Sequence, residues 1–157
     1  RGLPRCERTE CLKKVYETCR CGEGENVAYP LMTRDEVRRL SDMGFEIGPH
    51  TVSHISMSHE NKDLIEKEIE ASLSVVAEIT GKSPTCYSYP HGALPKEYKD
   101  VLQMMKSRGV RGAVTTIEGM NTHQDDIFRL KRLNVSGHRS LAFSALMSGL
   151  TGAFRHD

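Results

Sequence analysis

Two histidines, His50 and His54, stand four residues apart in Pro49-His50-Thr51-Val52-Ser53-His54. A neutral imidazole is a good ligand for zinc and other divalent metals. A separation of four can bring two side chains to one side of a helical turn. The pattern is not that of the helical zinc proteases, because Thr51 stands where their motif needs Glu. Taken alone, such a pair is also compatible with an ordinary solvated surface. Cys86 and His91 could in principle form a nucleophile–base pair, but no third orienting group accompanies them. Cys6, Cys11, Cys19 and Cys21 could hold zinc or form two disulfides. Their spacing matches no zinc signature, so free or loosely paired cysteines in a surface segment are the simpler reading. His59, His123 and His138 lie in polar surroundings, where capping or solvent exposure is the default.

The elements around these residues read as alternating helices and strands. Residues 1–30 are polar and Cys-rich, and read as a variable insertion, a loop or a short helix. Thr33 and Glu36 form a capping box, Val37, Leu40 and Met43 follow helical spacing, and Gly44 suits a C-cap. Residues 45–48 alternate apolar and polar, as a short strand does. A polar stretch over 50–59 follows. Residues 61–80 carry the strongest helical period, with Leu64, Ile65, Ile69, Leu73, Val76 and Ile79 near one face. Glu66, Lys67, Glu68 and Glu70 fall to the surface in this reading. Residues 85–89 read as a strand, Pro90-His91-Gly92 as a turn, 95–107 as a helix, 110–116 and 127–135 as strands, and 140–150 as a last helix. The alternation implies an α/β fold with a mostly parallel sheet or barrel. The histidine pair then follows a strand end, where sites assemble in parallel α/β folds.

Composition narrows the classes. The chain has 157 residues and a net charge of +1, which gives no global attraction to nucleic acid or anionic membrane. No apolar run approaches the roughly 18 residues of a membrane span. The first residue is Arg1 rather than Met, so the N-terminus gives no reading of compartment, and both the cell envelope or exterior and the cytoplasm stay open. Met104, Met105 and Met120 read as core filler. Arg129, Lys131 and Arg132 read as the solvated face of a strand, and Cys86 as a buried small hydrophobe.

His50-Thr51-Val52-Ser53-His54 resembles the H-[ST]-x-x-H metal motif of the polysaccharide deacetylase family, the NodB-homology domain of carbohydrate-esterase type. The resemblance continues through Phe45-Glu46-Ile47-Gly48, Ile79-Thr80-Gly81-Lys82, Tyr87-Ser88-Tyr89-Pro90-His91-Gly92, 112–116 and 129–135. It covers about two-thirds of the chain, and its order makes it specific. It implies a partial, distorted (β/α) barrel over 31–157 and a hydrolase that removes acetyl groups from a polysaccharide or amino sugar. It implies a divalent metal, zinc first and cobalt or nickel as alternatives, with His50 and His54 as ligands. It implies that the backbone N–H of His91 donates to a tetrahedral oxyanion, with Gly92 permitting the turn. Thr51 would shape the metal loop, by hydrogen bonding or by anion contact. The expected partner is an acetylated carbohydrate, with no nucleic acid and no membrane span.

The sequence departs from that family in three places. The family's first motif, two adjacent Asp residues on an early strand, has no counterpart before His50. Asp35 and Asp42 belong to a helix, and Asp125-Asp126 follows the histidines in a loop. The expectation is that the Asp pair lies upstream of Arg1, and that this chain alone is inactive. His91 stands where the family carries Tyr or Phe, and Ser88 where other branches carry Arg. The family's late His motif has only His156-Asp157 as a superficial match. The competing reading is a noncatalytic carbohydrate-binding or assembly relative with the same fold. A third makes the Cys cluster a small metal-binding interaction module.

Overall fold

A computed structural model describes residues 5–19 and 31–133. The expected helix over 140–150, positions 134 and 135, Cys21, His138 and the His156-Asp157 pair lie outside the described residues. Helix α1 spans Arg5–Cys19. A 15-residue helix therefore stands where the sequence suggests a loop or short helix, and Cys6 and Cys11 are exposed on it.

Helix α2, Arg34–Asp42, starts at the expected capping box: Glu36 N–H donates to Thr33 Oγ1, and Thr33 N–H donates to Glu36. Its C-cap is Met43, one residue before Gly44. Only Ser41 of α2 is buried, so polar links hold this helix. Arg34 pairs with Glu78 at 2.7 Å, Arg38 Nε donates to Ile79 O at 2.9 Å, and Lys82 Nζ donates to Ser41 O at 2.8 Å.

Helix α3, Lys62–Thr80, is capped by Asn61 and closed by Gly81 in the left-handed region. Ile65, Ile69 and Leu73 are buried against the sheet, as their period requires. Each such burial stabilises by about 1.5–3 kcal/mol. Strand β1 is Cys86–Ser88, and a single 3-10 turn, Pro90–Gly92, follows it. Helix α4, Tyr98–Ser107, buries Val101 and Met105, leading into strand β2, Gly112–Glu118, and then strand β3, Leu130–Arg132.

The strands form a parallel sheet in the order β1-β2-β3, with a register shift between β2 and β3. Asn121 stands in for a further strand beside β3: its Nδ2 donates to Lys131 O and its Oδ1 accepts from Lys131 N–H, both at 2.9 Å. The core lies between the sheet and α3 and α4, with Tyr87, Tyr89, Ala113, Val110 and Phe128 contributing. Among the described residues the sheet does not close on itself, so the architecture is α/β and a partial, distorted barrel.

Four expectations are corrected. Residues 45–48 are not a strand: the segment runs beside β1, and the backbone bond there is Ser88 N–H to Pro49 O at 3.1 Å. The stretch 50–59 is not uniformly polar in its setting, because Ile55 and Met57 are fully buried core residues. Glu68 is buried rather than on the surface. Met120 is 51% exposed, whereas Met105 fills the core.

Candidate functional site

The site forms where β1 ends. Ser88 N–H donates to Pro49 O, and Ser88 O faces His50 Nδ1 at 2.7 Å. A carbonyl has no proton to give, so Nδ1 is the donor. In the neutral ring Nε2 then carries the lone pair. His54 follows one short loop later, with its ring centroid 4.9 Å from that of His50 and the planes at 67°. The His91 ring, brought in by the turn after β1, lies 4.5 Å from His54 at 81°. The fold thus gathers His50, His54 and His91, and all three are solvent-exposed. The sequence points to His91 through its backbone alone; its ring also belongs to the cluster.

The backbone that carries these rings is strained. Thr51, His54 and His91 adopt φ values of 63°, 51° and 56°, the left-handed region that non-glycine residues rarely occupy. Such strain concentrates at functional loops, at about 1–3 kcal/mol per residue, and persists only where surrounding contacts hold it. Three contacts hold it here. His50 is tied to Ser88 at one end. Ile55 and Met57 are sunk in the core at the other. Between them Glu68, reaching from α3, accepts from Val52 N–H and Ser53 N–H, both at 2.8 Å, and from the Ser53 hydroxyl.

Glu68 is the residue that sequence reasoning missed. Its signal was its position: three residues after Ile65 and one before Ile69, a carboxylate on the buried stripe. A buried carboxylate needs partners, and the loop of the histidines provides them.

The turn after β1 is equally constrained. Gly92 has φ +66°, and a Cβ there would fall 2.1 Å from Thr116 Oγ1 and 2.4 Å from Thr116 N. Thr116 Oγ1 donates to His91 O at 3.1 Å, which ties the turn to β2. The Thr51 hydroxyl is buried, with no hydrogen-bond partner among the described residues. Burial pushes the Tyr87 and Tyr89 phenols beneath the site far above their ordinary value.

The other candidates are engaged elsewhere. Asp125 pairs with Lys131 at 2.8 Å, and Asp126 accepts from Phe128 N–H and from Tyr98 Oη. The Asp125-Asp126 pair is therefore loop scaffolding. Arg132 Nε donates to Thr115 O at 2.6 Å and Arg129 lies over the Tyr98 ring, while both residues stay exposed, in keeping with a solvated strand face. His59 Nδ1 is within 3.0 Å of the Ser56 and Ser58 hydroxyls. Cys86 is half-buried rather than buried, and lies against Gly48. Burial pushes its thiol up, and the nearby Glu46 carboxylate adds to that. A thiol held protonated is a poor nucleophile, which disfavours a Cys86–His91 pair. A cavity of about 300 Å³ lined by Phe45, Glu46, Lys82, Thr85 and Arg111 opens at the other end of the strands, away from the histidines.

As donors for a divalent ion, His50 and His54 have the right chemistry. A ligating imidazole is normally oriented by a carbonyl or carboxylate on its other nitrogen, as Ser88 O orients His50. Among the described residues no group of three or more His, Cys, Asp or Glu is placed to hold a metal. The candidate donors among the described residues are thus the two imidazoles.

A family model described as polysaccharide deacetylase matches residues 21–113. No curated protein matches by sequence. Solved structures share the fold. The deacetylase PplD of Streptococcus pyogenes, solved in complex with acetate, is 20% identical with a TM-score of 0.60, over 69% of this chain and 47% of that one. The deacetylase domain of BpsB from Bordetella bronchiseptica is 16% identical with a TM-score of 0.58, over 72% and 53%. A polysaccharide deacetylase of Bacillus cereus is 22% identical with a TM-score of 0.54, over 68% and 33%. This chain therefore spans about half or less of the length of these structures.

Proposed function

This chain belongs to the polysaccharide deacetylase family, and from that premise we propose that it carries the histidine half of a metal-dependent site that removes acetyl groups from a polysaccharide or amino sugar. The observation that supports this is the His50 Nδ1 bond to Ser88 O, which leaves Nε2 as the ligand atom beside the His54 ring. A divalent ion held by His50 and His54, zinc first and cobalt or nickel as alternatives, would polarise the acetyl carbonyl and acidify a water.

The chain's own residues do the rest. The Ser88 carbonyl and the core-anchored Ile55 fix the direction of the two imidazoles. The His91 turn, pinned by Thr116 and made possible by Gly92, presents a backbone N–H to the developing oxyanion. The general base that takes the proton from water is a carboxylate. In this reading it comes, with the remaining metal ligand, from an Asp pair preceding Arg1, and these 157 residues alone do not turn over substrate.

The test is titration of the chain with zinc, cobalt and nickel near neutral pH, wild type against His50→Ala/His54→Ala. One equivalent bound by the wild type and lost in the double variant is expected. Binding untouched by the substitutions would remove the metal site and favour a noncatalytic carbohydrate-binding relative, whereas no binding would mean either that the two imidazoles need the third ligand or that the fold serves something other than metal chemistry. Acetate release from an acetylated amino-sugar oligomer by these 157 residues alone would show that the base has been misplaced.

A further inference from the structure

Glu68 sends a carboxylate that is 8% exposed from the middle of α3 into the loop between the two histidines. One of its oxygens, Oε2, accepts from both Val52 N–H and Ser53 N–H at 2.8 Å. The other, Oε1, accepts from Ser53 Oγ. Hydrogen bonds to an ionised acceptor are roughly twice as strong as neutral ones. These are made to the two residues between Thr51 and His54, the two left-handed positions of the loop. Regular helix or strand would supply partners for the Val52 and Ser53 amides, and the loop has neither.

We propose that Glu68 is a positioning residue: its carboxylate substitutes for a backbone ladder and holds the 50–54 loop in its left-handed conformation, so that the His50 and His54 rings converge. Ile65 and Ile69, both fully buried, flank it on α3, so its reach is set by the core itself. The proposal rests on the metal reading only for its consequence; the clamp on the loop is a separate claim.

Two readouts keep the claims apart. Amide hydrogen exchange in the metal-free chain reports the clamp directly. In Glu68→Ala, the Val52 and Ser53 amides are expected to exchange at least tenfold faster while α3 amides keep their protection. Glu68→Gln is expected to restore most of the protection. Its amide oxygen can accept from both N–H groups, and its NH2 can donate to Ser53 Oγ. Zinc titration reports the consequence. Residues that orient metal ligands typically affect affinity by about 10–100-fold, so a loss in that range is expected for Glu68→Ala, with recovery in Glu68→Gln. Should Glu68→Ala fail to fold, Ser53→Ala, which removes the hydroxyl bond alone, is expected to raise exchange at Val52 and Ser53 by a smaller factor. Unchanged exchange at these two amides in a folded Glu68→Ala or in Ser53→Ala would overturn the proposal, as would a rise spread evenly through α3. If the wild type binds no zinc yet the amides depend on Glu68, the clamp stands independently of the metal reading. If zinc binds through the histidines and Glu68→Ala alters neither readout, the clamp falls and the metal reading stands.

Discussion

His50 Nδ1 meets the carbonyl oxygen of Ser88 at 2.7 Å, while the Ser88 N–H meets the carbonyl of Pro49. One residue at the end of β1 thus fixes both the backbone before the first histidine and the direction of its ring. This fixes a tautomer. Nitrogen NMR of the neutral ring, in alkaline buffer, should show His50 with its proton on Nδ1. A dominant Nε2–H form would rule out the arrangement that presents Nε2 as a ligand.

Gly92 combines a left-handed φ with a clash, whereas Gly81 has a similar φ of +69° and open space around it. Left-handed backbone costs a residue with a Cβ about 1–2 kcal/mol. Gly81→Ala should therefore destabilise by about that amount. Gly92→Ala should cost clearly more, because the Thr116 backbone must also move. Urea denaturation of the two variants compares them; equal losses would mean that the turn relaxes away from β2.

Core burial of α3 predicts a second contrast. Ile69 is fully buried and Val75, on the same helix, is 40% exposed. Ile69→Ala should cost about 2–5 kcal/mol, and Val75→Ala about 1 kcal/mol or less. Denaturation midpoints at constant slope decide this, and similar losses would contradict the packing of α3 on the sheet.

Cysteine reactivity should separate by environment. Cys6 and Cys11 are exposed, whereas Cys86 is half-buried with its thiol held up by burial and by Glu46. Alkylation at neutral pH, followed by peptide mapping, should label Cys6 and Cys11 well before Cys86. Early labelling of Cys86 would reopen the nucleophile reading of that residue.

The Lys131 ammonium beside Asp125, with the Thr122 N–H and hydroxyl, holds the Asp125 carboxyl down at about 2. A folded-state value below the unfolded one means that the interaction stabilises above the unfolded value, about 3.9. That contribution disappears as pH falls from there toward 2. Carbon NMR titration should show the low value in the wild type and a return toward about 3.9 in Lys131→Met. An unchanged titration would mean that Thr122 alone sets it.

Much of this molecule was legible in the chain. The Thr33–Glu36 box, the α3 stripe, the turn at Pro90–Gly92 and the order of helices and strands rest on near-neighbour chemistry, and near neighbours are written in sequence order. His50 and His54 could be singled out for the same reason, and the series of motifs around them carried the family. What the chain could not show were relations across it. Residues 45–48 alternate like a strand, yet whether they join a ladder depends on distant partners, and they lie beside β1 without one. The burial of Ile55 and Met57 within a polar stretch was decided by where the loop re-enters the core. Glu68 looked like one of several helix-surface acids until the fold set it under Val52 and Ser53, sixteen and fifteen residues back. The ring of His91 met His54 because the backbone bond from Ser88 N–H to Pro49 O set the end of β1, and the turn that follows it, beside the histidine loop. Local propensity selected the elements; the fit of side chains between elements, which no window of sequence contains, selected the geometry of the site.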